Sequence, residues 1–160
     1  MQPEISFLCD AALKNLFQKS LAAKTYDPKD IPYGVKTFSQ QDEVLIFAMA
    51  YDFKDFLVAL VESKPSQKLM EKILVTGIKF GAPALFLQIL KRPHCEAFLT
   101  TSPHFVKNVF EETKNTYPTR SKTMELFLKA VSAPFREHLK QISYSEELFN
   151  LISLSSNLEQ

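Results

Sequence analysis

Only three glycines, Gly34, Gly77 and Gly81, occur in the 160 residues, and that scarcity closes off most β-rich architectures. Tight hairpins draw on glycine, or on Asn-Gly and Asp-Gly pairs, to supply backbone with positive φ, and neither pair is present. The nine prolines fall mostly where helices would start or stop. Between them apolar residues recur at three-and-four spacing, the period of one face of an α-helix. The expectation is an all-α fold, one domain over residues 1–160 with a flexible C-terminal tail from about residue 154. It should be an irregular array of about nine to ten short antiparallel helices, helical-repeat-like in the middle.

Pro3 and the run Ile5, Leu8, Cys9, Ala12, Leu13, Leu16 and Phe17 predict a first helix over about residues 3–24. Residues 25–38, broken by Pro28, Pro32 and Gly34, read as a long loop. Ser39 and Asp42 have the spacing of a capping box, and Asp52 is expected to break that helix and N-cap the next, which Pro65 stops. Ser66 should cap a helix with the inner face Met70, Ile73, Leu74, Gly77 and Ile78, closed by Gly81 in left-handed backbone. Pro83 restarts a helix that Pro93 ends, and a short turn is expected near residues 94–99. Ser102-Pro103 reads as a helix start, Thr119 or Ser121 as the cap of a helix over 122–131, and two more helices are expected at about 132–142 and 145–154.

Nineteen basic and eighteen acidic residues nearly cancel, which leaves no long-range field of the kind a dedicated nucleic-acid binder carries. Fourteen phenylalanines and no tryptophan imply a core filled by phenyl rings. Cys9 and Cys95 are too few for a disulfide framework and favour a reducing compartment. The N-terminus has neither a basic nor an apolar signal-peptide region, and no apolar run approaches the roughly 18 residues of a membrane span. A cytoplasmic protein without a transmembrane segment is expected.

The chemical candidates are sparse. His94, His104 and His138 with Cys95 lack the short spacings of a four-ligand zinc site, so no metal is expected. Cys95 near a helix start could act as a nucleophile, but no cysteine-enzyme signature surrounds it, and a small buried hydrophobe is expected. Asp52/Asp55 fit a helix first turn, while Glu111/Glu112 and Glu146/Glu147 diverge by about 100° on a helix. Three glycines cannot build a phosphate loop. Together these readings point to a non-enzymatic protein without a cofactor. From residue 64 to 92 there are six basic residues against one acidic, Glu71, and Lys68, Lys72 and Lys79 project within about 40° on one helical stripe.

Residues 50–62 and 79–91 align at an offset of 29, each joining a helix, a tight break and a second helix with apolar residues at matching places. Over residues 42–92 the chain resembles the helix-turn-helix core of ankyrin repeats, although no Thr-Pro-Leu-His stretch and no glycine-rich hairpin turn is present. The resemblance implies stacked helix pairs that bind a protein partner. The serine-rich end, with Glu146-Glu147 about fifteen residues from the terminus and Leu158 third from last, resembles C-terminal translocation signals of type IV secretion substrates from intracellular bacteria. That likeness implies a secreted bacterial effector acting on a host protein. The residues expected to touch the partner are Tyr26, Tyr33, Lys68, Lys72 and Lys79, on exposed helix faces and the 25–38 loop. The alternative function is binding of a small molecule or lipid in a cavity lined by phenylalanines.

Overall fold

Asp10 starts the first helix: its carboxylate accepts from the backbone N–H groups of Ala12 at 2.7 Å and Leu13 at 3.3 Å. In the computed structural model, which describes residues 7–23, 40–116 and 119–131, α1 therefore runs Ala11–Ala23. The helix expected from residue 3 begins later because the cap, and not the apolar period, sets its start. Phe7 to Asp10 is not helical. The expected 25–38 loop, Ser39, and the helices at 132–142 and 145–154 lie outside the described residues.

Helix α2 (Gln40–Ala50) ends in a Schellman motif. Asp52 is the left-handed residue, with φ 59°; its N–H reaches Met49 O at 3.4 Å, and the Phe53 N–H reaches Ala48 O at 2.9 Å. The expected role of Asp52 as N-cap of the next helix is thus corrected. It closes α2, and the cap position of α3 (Lys54–Glu62) belongs to Phe53, without a side-chain bond. Phe53 also supplies the apolar contact this motif favours, its ring edge-on to Phe47 at 5.7 Å.

Ser66 caps α4 (Gln67–Phe80) as expected, its hydroxyl oxygen accepting from Leu69 N–H at 3.2 Å. Gly81 departs from expectation, since its backbone is extended at φ −79° and ψ 154°. What requires glycine there is proximity: a Cβ would stand 2.8 Å from the Gly77 carbonyl oxygen. Gly77 answers a second close approach, because its Cβ would meet Phe86 Cδ2 at 2.7 Å. Pro83 opens α5 (Pro83–Leu90), and Pro93 then opens α6 (Pro93–Thr101) where only a turn was expected. Helix α7 (Pro103–Thr113) continues into a 3-10 turn, Lys114–Thr116. Helix α8 (Ser121–Ala130) has Arg120 at its cap position, not Thr119 or Ser121. The Arg120 guanidinium donates to Ile78 O at 2.9 Å, satisfying a carbonyl in the last turn of α4.

These eight α-helices, with no strand among the described residues, lie in two rows. Helices α2, α4 and α7 stand side by side with α4 in the middle, and α1, α3, α5 and α8 form the second row in that order. Helix α6 contacts α3, α5 and α7. Phe17 of α1 meets Phe56 at 5.1 Å and Phe53 at 5.6 Å, tying α1 to α3. Eight of the eleven phenylalanines among the described residues are fully buried. Each removes apolar surface from water worth about 1.5–3 kcal/mol, so the rings account for much of the cohesion between the rows.

Candidate functional site

The row formed by α2, α4 and α7 carries a cleft of about 260 Å³. Helix α2 contributes Asp42 and Ile46, one turn apart; α4 contributes Lys72, Val75, Thr76, Lys79 and Phe80; α7 contributes Glu112. The three- and four-residue steps along α4 put all five of its residues toward one side of the helix. Ile46, Val75 and Phe80 give the cleft an apolar floor, and four charged side chains form its rim.

Lys72 is held: its Nζ donates to Gln41 Oε1 at 2.9 Å and stands 3.4 Å from Asp42 Oδ1. An acid on the neighbouring helix therefore neutralises the central member of the lysine stripe. Lys68 is exposed, with Glu71 feeling its charge, and it does not line the cleft. Lys79 is half-buried at the rim, and no carboxylate among the described residues pairs with it. Of the five residues expected to touch a partner, the structure brings Lys72 and Lys79 into one cleft, while Tyr26 and Tyr33 lie outside the described residues.

Beside the cleft, Glu71 of α4 faces Glu112 and Asn108 of α7. Partial burial, then the hydrogen bond and like charge of Glu112, push the Glu71 carboxyl above its ordinary range, against the opposing pull of Asn108 and Lys68. Sequence reading missed this pair, and the role of Asp42 and Glu112 at the rim. Nothing local marks them, since each meets its partner across helices distant in sequence.

The other candidates stand apart. Cys95 is buried, and burial together with nearby Glu96 pushes its thiol up to about 12. A thiol held that high is almost wholly protonated at neutral pH and is a poor nucleophile. Neither His94 nor His104 hydrogen-bonds to it: the His94 ring lies edge-on to Phe98 at 4.9 Å, with its Nε2 buried and unpartnered. His138 lies outside the described residues, among which no cluster of three or more metal-ligating side chains occurs. Glu111 is bound to Lys114 at 2.8 Å. No described helix is long and apolar enough to cross a membrane.

No family model, no curated protein and no solved structure matches the chain.

Proposed function

We propose that this protein is a non-enzymatic interaction module that receives a partner protein on the α2/α4/α7 row. The observation that carries this reading is the cleft itself. Three helices contribute to one recess with an apolar floor, a charged rim and a lysine that has no counter-charge among the described residues. A concave apolar patch ringed by polar groups is the usual anatomy of a recognition surface. The ankyrin-like resemblance over residues 42–92 supports the same assignment, because stacked helix pairs offer an extended face built from one helix of each pair. The Cys95 burial argues against the thiol chemistry that was the best enzymatic candidate.

Among the described residues Phe80 is the one phenylalanine that lines the cleft, and the eight fully buried rings fill the core elsewhere, which favours a protein partner over a lipid. On the C-terminal resemblance, the partner to seek first is a host-cell protein of an intracellular bacterium. The test is affinity capture from such a lysate with the full chain, alongside Lys79→Glu and, as a distant control, Lys54→Glu. A protein retained by wild type and the control but lost with Lys79→Glu supports the module. Captured proteins indifferent to Lys79, or a lipid or metabolite recovered with the chain instead, would contradict it.

A further inference from the structure

We propose that the α2/α4/α7 cleft selects a partner segment in which one apolar side chain is flanked by a basic and an acidic residue. This rests on reading the cleft as the recognition surface, and adds the chemistry of what fills it. Ile46, Val75 and Phe80 form a floor that an all-polar occupant would leave in contact with trapped water, so the central group is apolar. A space of about 260 Å³ lies below the roughly 300–1,000 Å³ of sites for drug-sized ligands, which suits one inserted side chain with its neighbours on the rim.

The rim decides the charges. Asp42 and Lys72 neutralise each other at 3.4 Å and select neither sign. Lys79 has no counter-charge among the described residues, so an acidic group on the occupant completes it. Glu112 stands on a different helix with Glu71 at its side; Lys68 and Asn108 offset Glu71 only in part, and a cation on the occupant beside Glu112 relieves the like charge that remains. A uniformly acidic segment satisfies Lys79 but meets Glu112; a uniformly basic one does the reverse. Only a mixed-charge segment satisfies both.

The probe is a set of end-capped peptides with a central Leu, an Arg and a Glu placed one to three residues to either side, in both chain orders. Controls carry two Glu, two Arg, or Ser in place of Leu. Amide NMR titration of the full chain reads out affinity and location together. At least one mixed-charge peptide is expected to bind about tenfold more tightly than every control, shifting the amides of Ile46, Val75 and Lys79. Lys79→Glu and Glu112→Lys should each weaken it about threefold to tenfold, the scale of rim charges reversed in partial solvent. The double variant K79E/E112K should regain binding and prefer the opposite chain order. The inference is overturned if controls bind as tightly as mixed peptides, if shifts fall outside the cleft, or if no peptide binds. A captured partner that is lost with Lys79→Glu yet ignores Glu112→Lys also overturns it, while the interaction reading survives.

Discussion

Lys64 sits at φ 57° just after α3, where a residue with a side chain pays for left-handed backbone that glycine adopts freely. Exchanging Lys64 for Gly should stabilise the fold by about 1 kcal/mol and raise the melting temperature by roughly 2–4 °C, read by thermal unfolding. Asp52 shares that conformation at φ 59°, but aspartate tolerates it better, so Asp52→Gly should gain less. Gly77 runs the other way. A methyl group there would press on Phe86, a fully buried ring with little room to withdraw, and Gly77→Ala should cost about 1–3 kcal/mol in urea unfolding. An unchanged midpoint would mean that α5 does not rest on α4 at this point. The sequence marked Asp52 and Gly81 as special positions, yet misassigned the reason at both. A left-handed C-terminal residue and a helix N-cap draw on the same polar side chains, and a glycine needed for proximity looks the same in sequence as one needed for its φ.

Helix α6 shows where apolar periodicity stops being informative. Its nine residues hold too few inward apolar side chains, chiefly Cys95, Phe98 and Leu99, to set a clear period, and only Pro93 at the first turn announces it. Where the inner face is richer, as on α4 and α5, the pattern and the punctuating Ser66 and Pro83 suffice. Contacts between helices were not legible at all: the stripe of Lys68, Lys72 and Lys79 could be drawn on α4, but not the fact that Asp42 of α2 would cancel its middle charge. The α4–α7 contact carries its own pH dependence through Glu71. A carboxyl whose pKa is raised on folding favours the native state below its unfolded value, ordinarily 4.5, and that contribution is lost as pH rises through the folded value. Glu71→Gln should therefore stabilise the protein at neutral pH, with the advantage shrinking toward zero below pH 4.5, as followed by unfolding across that range. A variant less stable than wild type at pH 7 would show that Lys68 and Asn108 outweigh burial and Glu112.

Across the whole molecule, the phenylalanine-rich core separates the two cysteines into different chemical environments. Cys9 is exposed and Cys95 is buried within the core, so a maleimide should modify one thiol rapidly and the second only at the rate of unfolding, which mass spectrometry under native and denaturing conditions resolves. Rapid labelling of both would break the case against a reactive Cys95. The two-row arrangement places α2, α4 and α7 on one face, and recognition by that face is what the functional account asserts. Hydrogen exchange of the full chain, with and without its captured partner, measures this directly. New protection should concentrate in residues 40–50, 67–80 and 103–113 and leave α1, α3, α5 and α8 unchanged. Protection confined to that second row would contradict the account.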